Sequence, residues 1–199
     1  MNAESAKALS DEQLMMRIAS GEIELLGEIY VRHNAVVKSA LGRFAQDISF
    51  EEREDLAQEV FIAVNDSASR FPAGVEFRAW LYGVAVNKAR AWRRNNWIRK
   101  KLLRTKRGTP VGMALGVDTS PARRSEMRQL ILKSLSSLPD SEREVIILRA
   151  IEGFTGDEIA LILGISHASV RVRLHRARAR IEEQLDAGLL VEALREDNP

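Results

Sequence analysis

The chain is 199 residues long with a formal net charge of +2, and its apolar content of 45% can bury the core of one large or two small domains. Cysteine is absent, which excludes disulfides and cysteine-ligated metal and fits a reducing cytoplasm. No apolar run approaches the length of a membrane span and the N-terminus lacks a signal-peptide core, so a cytoplasmic protein without a span is expected.

Almost every segment reads as helix, and no convincing alternating strand is present. Ser10-Asp11-Glu12 opens the first helix with an acidic first turn, and it stops near Gly21. The second runs from about Ile23 to Phe44, with Leu25, Leu26, Ile29, Tyr30, Val36, Val37, Ala40, Leu41 and Phe44 as its apolar side. A third starts near Glu51, carries the stripe Leu56, Val60, Phe61 and Val64, and ends near Arg70. Pro72 and Gly74 then break the chain. The fourth helix, roughly Glu76 to Leu103, turns Phe77, Trp80, Leu81, Val84 and Ala85 inward.

From Thr105 to Pro121 the residues Gly108, Pro110, Gly112, Gly116 and Pro121 interrupt any helix, and the segment reads as a flexible linker. Helices resume near Ala122, where Leu130, Ile131, Leu135 and Leu138 form a stripe that stops at Pro139. Asp140-Ser141-Glu142-Arg143 opens the next helix, with Val145, Ile146 and Leu148 inward, and Gly153 ends it. The expected fold is therefore all-α: a helical domain over 10–104, a linker over 105–121, a second helical domain over 122–183 and a tail over 184–199. The tail after Glu182 reads as a last helix turn with a frayed end.

Residues 155–181 form two short helices joined by a tight turn. Ala160 supplies the small residue needed where the helices cross, Gly164 tolerates positive φ in the turn, and the Ser166 hydroxyl caps the next helix. Val170, Leu174, Ala177 and Ile181 make an inward stripe, which leaves Arg171, Arg173, His175, Arg176, Arg178 and Arg180 mostly outside. A helix that packs by one edge and offers cations from the other suits a DNA major groove. A solvated basic face is the plain alternative, and the turn chemistry argues against it. Repressors, activators and initiation factors all carry such a motif, so it points to DNA without naming the kind of DNA protein.

Charge is unevenly placed. Residues 88–107 contain Lys88, Arg90, Arg93, Arg94, Arg99, Lys100, Lys101, Arg104, Lys106 and Arg107 and no acid, whereas Glu51, Glu52, Glu54, Asp55 and Glu59 surround a lone Arg53. Such segregation suggests a polyanion partner at one surface and a basic protein partner at another. No nucleophile, glycine-rich phosphate loop or histidine accompanies the acids, so no enzymatic activity, cofactor or small-molecule substrate is expected. His33, His167 and His175 lie in different elements without a carboxylate at ligand spacing, so no metal site is expected.

The second half resembles region 4 of bacterial sigma factors of the extracytoplasmic-function class. The pieces that carry the resemblance are Leu138-Pro139, Arg143-Glu144-Val145, Leu148-Arg149, Glu152-Gly153, Glu158-Ile159-Ala160, Leu163-Gly164-Ile165 and the run from Val170 to Arg178. Response regulators of the LuxR type share a similar motif. The first half adds a second set: the run from Asp55 to Phe61 is similar to region 2.2, and Arg70-Phe71, the run from Phe77 to Leu81, Ala85-Val86-Asn87 and Arg93-Arg94 are similar to regions 2.3 and 2.4. Both sets occur in order, over roughly residues 10–182. One departure is Ala91, where the family often has an acid, followed here by Trp92.

The resemblance implies a sigma-2 and a sigma-4 domain, core RNA polymerase and promoter DNA as partners, and control by an anti-sigma protein. Asp55, Gln58 and Glu59 would dock on the beta-prime clamp helices, over an apolar seam that stays inside sigma-2, and sigma-4 would meet the beta flap. The loop Phe71, Pro72, Ala73, Gly74 and Val75 would take a base flipped out of the minus-10 element. Trp80, Tyr82 and Trp92 accompany cations in a way that suits unpaired bases, although Phe77 and Trp80 are assigned to the core; Arg78, Asn87, Lys88, Arg90 and Arg94 are assigned to DNA. The minus-35 contacts fall to His167, Ser169, Arg171, Arg173, His175, Arg176 and Arg178, with His175 either a backbone contact or merely exposed. The basic run from Arg99 to Arg107 is either solvated or threaded toward the polymerase cleft. The main rival is a free-standing helix-turn-helix regulator with a helical sensor domain.

Overall fold

The computed structural model describes residues 6–104 and 134–196, with side chains for 6–101 and 134–184. The expected linker and the stretch holding Leu130 and Ile131 lie outside the described residues. The described residues are helical, without a strand among them, and form two compact units, one holding 6–104 and the other 134–160 and 164–196.

In the first unit, α1 (Asp11–Ala19) begins with a reciprocal cap: Gln13 N donates to Ser10 Oγ at 3.2 Å, and Ser10 N to Gln13 Oε1 at 2.9 Å. Gly21, at φ +108°, turns the chain into a 3₁₀ turn at Ile23–Leu25. Only then does α2 (Leu26–Phe44) begin, so the expected single helix from Ile23 starts with a tighter segment. α3 (Phe50–Asp66) opens with the same kind of cap between Ser49 and Glu52. It stops at Asp66, and Ala68–Arg70 is a separate 3₁₀ turn rather than the end of the helix. α4 spans Phe77–Arg104.

These helices bury one apolar face each. Ile29, Val37, Ala40, Leu41 and Phe44 of α2 meet Leu56, Val60, Phe61 and Val64 of α3 and Phe77, Leu81, Ala85 and Val86 of α4, with Leu14, Met15 and Ile18 of α1 added. Tyr30 and Val36 stay exposed, outside the apolar side assigned to them, and the Tyr30 ring rests edge-on against Phe61 at 4.9 Å. Val84 and Trp80 are half-buried at the margin of the α4 face.

The second unit has helical residues 134–137, then α5 (Asp140–Ile146), which continues with π-helical spacing through Ile147–Ile151. α6 (Gly156–Leu163) follows Gly153, at φ +79°, and is capped by Thr155, whose N and Oγ1 each donate to Glu158 Oε2 at 2.7 Å. Gly164 takes φ +64°, and Ile165 N closes α6 on Ala160 O at 3.0 Å. α7 runs from His167 to Glu196 without a break. The expected frayed tail is thus mostly a continuation of that helix, because residues 185–196 are mainly leucine, alanine, glutamate and arginine, all good helix formers, without proline. Gly188 opposes it most, at about 1 kcal/mol relative to alanine.

Leu138, Ile146 and Ala177 form an apolar cluster with Leu135, Leu174 and Ile181 beside them. Arg143, part of the region-4 resemblance, is buried and structural: Nη1 donates to Leu138 O at 3.1 Å and Nη2 pairs with Asp140. Glu142 forms an ion pair with Arg180 Nε at 3.0 Å, which ties α5 to α7.

Candidate nucleic-acid and protein interfaces

α7 is positioned by its own first turn. Ser166 Oγ accepts from Ser169 N at 3.2 Å and bonds the Ser169 hydroxyl at 2.9 Å, so Ser169 is engaged in the cap. Val170 and Ala177 are fully buried and Leu174 and Ile181 half-buried, as the stripe required. That orientation leaves His167, Arg171, His175, Arg176 and Arg178 exposed and Arg173 half-buried. Val172 lies among them at 49% exposure, an apolar side chain whose outward position no spacing in the sequence marks as functional. His167 sits over Gly156: a Cβ there would stand 2.7 Å from His167 Nε2, and the ring is 3.5 Å from Asp157 Oδ1.

The loop over 71–75 is held at its start by aromatic packing. Phe71 meets Trp80 edge-on at 5.3 Å and Phe77 at 6.1 Å. Pro72, Ala73 and Gly74 are exposed, Val75 is half-buried, Val75 N reaches Pro72 O at 3.4 Å, and Gly74 takes φ +76°. At the loop's exit Glu12 Oε1 accepts from Phe77 N at 3.1 Å. Glu12's own backbone amide and the Phe77 amide hold its carboxyl below the ordinary glutamate range.

Along α4, Asn87 and Arg94 are exposed, and Arg78, Lys88 and Arg90 half-buried. Arg93 is structural, with Nη1 donating to Phe44 O at 2.8 Å. Tyr82 corrects an expectation. It is only 1% exposed and lies under the Arg78 guanidinium at 5.3 Å, so it cannot stack on a base. The exposed aromatic is instead Trp97, at 62%, with Lys101 Nζ 5.0 Å over its ring.

On α3, Asp55, Gln58 and Glu59 are exposed, opposite buried Leu56, Ala57 and Val60. The apolar residues do not all stay inside, since Ile62 is 59% exposed one turn beyond Gln58. The charges are also less segregated in space than in sequence. Glu59 pairs with Lys88 at 3.1 Å, Glu52 with Arg99 at 2.9 Å and Asp47 with Lys100 at 2.8 Å. Burial works against the Glu52 carboxylate, and the bonds from Arg99 and Ser49 overcome it, leaving its pKa lowered.

Asp11 Oδ2 binds His33 Nε2 at 2.8 Å, away from the other histidines in sequence, and among the described residues no cluster suited to a metal occurs. No described helix is long and apolar enough to cross a membrane. In the second unit Leu135, Ile146, Ile151 and Ile181 line an apolar groove of about 290 Å³, with Arg178 and Glu182 also lining it. Part of the groove comes from the π-helical segment, which no periodicity in the sequence announces.

Residues 29–98 match the family described as Sigma-70 region 2, and residues 128–181 match Sigma-70, region 4. The RNA polymerase sigma factor CnrH of Cupriavidus metallidurans is 31% identical over 194 residues, covering 94% of this chain and 98% of that protein. The ECF RNA polymerase sigma-E factor of Escherichia coli K12 is 28% identical over 196 residues, covering 90% and 96%. The solved structure of CnrH in complex with the cytosolic domain of CnrY is similar, with a TM-score of 0.63 at 29% identity, covering 89% of this chain and 97% of that one. The sigma factor RpoE in complex with the anti-sigma factor NepR, from Bartonella quintana, has a TM-score of 0.59 at 26% identity, covering 80% and 98%. The chain belongs to the extracytoplasmic-function class of RNA polymerase sigma factors, the subunits that give transcription initiation its promoter specificity.

Proposed function

We propose that the two units divide promoter reading between them. The second presents α7 to the minus-35 element. Arg171 and Arg176 read base edges, His167, Ser169, Arg173, His175 and Arg178 hold the surrounding backbone, and Val172 offers an apolar contact to a thymine methyl. The first unit reads the minus-10 element. The 71–75 loop takes an extruded base while Arg78, Asn87, Lys88, Arg90 and Arg94 hold the opened strand. One observation carries this reading: each unit turns an acid-free basic helix to solvent and buries its other side. α4 has no acid from Phe77 to Arg104, and α7 has none from His167 to Ile181.

The outward side of α3, with Asp55, Gln58, Glu59 and Ile62, is the seat for the beta-prime clamp helices. The groove at Leu135, Ile146 and Ile181 has the apolar character that an amphipathic helix of the beta flap needs. An anti-sigma protein masks polymerase-binding surfaces of this kind, a reading supported by the complexes in which CnrH and RpoE were solved. The chain acts in the cytoplasm as a specificity subunit, without catalysis, cofactor or small-molecule substrate of its own.

In-vitro transcription with core polymerase on a genomic fragment library tests the whole reading, with specific initiation expected only when both proteins are present. A nanomolar, sequence-specific complex of the full-length chain alone at physiological salt would make it a free-standing regulator instead. Asp55→Arg or Glu59→Arg should abolish core binding with the helical circular-dichroism signal intact. Unchanged affinity in a titration removes α3 from the interface. A purified anti-sigma protein should displace the chain from core, and a transcriptionally active ternary complex would contradict masking.

A further inference from the structure

We propose that Glu12 is a positioning residue for base selection at the minus-10 element, acting by capping α4 and so fixing the exit of the 71–75 loop. The proposal rests on the reading of that loop as the base pocket. Phe77 is the first residue of α4, and the first amides of a helix have no partner within it. Glu12 supplies one from a helix 65 residues away in sequence, at 3.1 Å.

The two acids of the α1 first turn have separate tasks. Asp11 binds Arg32 Nη1 and His33 Nε2, each at 2.8 Å, and so grips α2. Glu12 grips α4. Arg32 also donates to the Ala6, Lys7 and Leu9 carbonyls, which ties the chain ahead of α1 to the same anchor. The His33 ring lies 5.2 Å from Phe77, so the residue whose amide Glu12 caps is packed from α2 as well. At the other end of the loop Phe71 is seated against Trp80. Pro72, Ala73 and Gly74 are thus an exposed span between two fixed ends. A pocket that discriminates bases must hold its contacting atoms to about 0.5 Å, and residues outside the pocket set that tolerance. Removing the Glu12 acceptor takes away the side-chain hold on the Phe77 amide, so the backbone at the exit loosens while the aromatic packing of the entrance stays.

The test uses full-length chain reconstituted with core polymerase. The probe is a promoter fragment recovered from the wild-type library experiment, together with single-base variants across its minus-10 element. The readout is the ratio of transcription on the best and worst base at the most discriminating position. Glu12→Ala should lower that ratio roughly twofold to thirtyfold, the range of a lost helix cap, with affinity for core unchanged. Glu12→Gln keeps an acceptor oxygen and should restore the ratio, whereas Glu12→Asp keeps the charge but falls short of Phe77 N and should not. Should Glu12→Ala fail to fold, the Gln and Asp variants carry the comparison. A merely structural Glu12 would lower transcription equally on all bases, in step with a lower melting temperature, and that result overturns the proposal. Failure of Glu12→Gln to rescue overturns it too. Ala73→Asp, in the exposed span, separates the two readings. If it leaves discrimination intact, the loop is not the pocket and both readings fall. If it abolishes discrimination while Glu12→Ala does not, only the role of Glu12 falls.

Discussion

The two regions proposed to read DNA are built differently. Around α7 the start of the helix is set close in sequence, where Gly164 makes the turn and Ser166 caps, and its rotation is set by Val170 and Ala177, the latter packed against Leu138 and Ile146. Around the 71–75 loop the positioning atoms come from Glu12, His33, Phe77 and Trp80, on three different helices. A locally built site loses geometry one contact at a time. A site assembled across a core shares the fate of that core, so its mutations act through folding as well as through any contact the site makes.

The largest expected effect follows from that difference. Phe77 is fully buried and contacts Phe71, Trp80 and His33 by its ring and Glu12 by its amide. Phe77→Ala should cost about 3–5 kcal/mol of the first unit's stability. Tryptophan fluorescence reports this unit alone, because Trp80, Trp92 and Trp97 all lie within it. A loss under about 0.5 kcal/mol, within the range of an ordinary surface substitution, would show that Phe77 does not anchor the core beneath the loop.

Next in size are the two arginines proposed to read base edges. Arg171→Ala or Arg176→Ala should cost about 1–3 kcal/mol of minus-35 discrimination and leave thermal stability unchanged, since both are exposed. Equal transcription by wild type and mutant from templates with and without a minus-35 element would show the contacts are absent.

How much of this was legible follows the same division. The helix-turn-helix, its turn glycine, its cap and its inward stripe could be read along the chain, because a helix reports its buried face through local spacing. The order of helices in the first unit was legible for the same reason. Tyr82 was not: it reads as an aromatic among cations, yet in the fold it is buried beneath the Arg78 guanidinium. Arg93 and Arg143 read as basic-face or motif residues but answer carbonyls at helix ends, Phe44 O and Leu138 O. Glu12 looks in sequence like an ordinary first-turn acid, and its bond to Phe77 exists only once α1 is packed. Hydrogen bonds across long sequence separations leave no periodic trace.

A smaller effect is expected from the local cap. Ser166→Ala removes the acceptor for Ser169 N and should cost about 0.5–2 kcal/mol. Because the cap sits at the start of α7, the loss should appear in minus-35-dependent transcription and leave the fluorescence transition of the first unit in place. A shift of that transition instead would break the idea that this site is locally built.

The smallest expected effect is a dependence on acid. The carboxyl of Glu12 is held low by its own and the Phe77 amides. That of Glu52 is held low by bonds from Arg99 and Ser49, which outweigh its burial. A carboxyl whose folded pKa is depressed contributes stability that is fully present above its unfolded pKa and is lost as pH falls through the folded one. The tryptophan-reported transition should therefore hold steady above the ordinary glutamate range and move to lower temperature as pH falls through and below it. Glu12→Gln keeps the acceptor for Phe77 N but carries no titrating proton, so it should flatten part of that slope and Glu52→Gln another part. The two sites are on different helices and share no bonding partner, so their contributions should add within roughly 0.3–0.5 kcal/mol. A slope unchanged in both variants would mean that the acid sensitivity of the first unit arises elsewhere, and that the Glu12 bond acts through geometry alone.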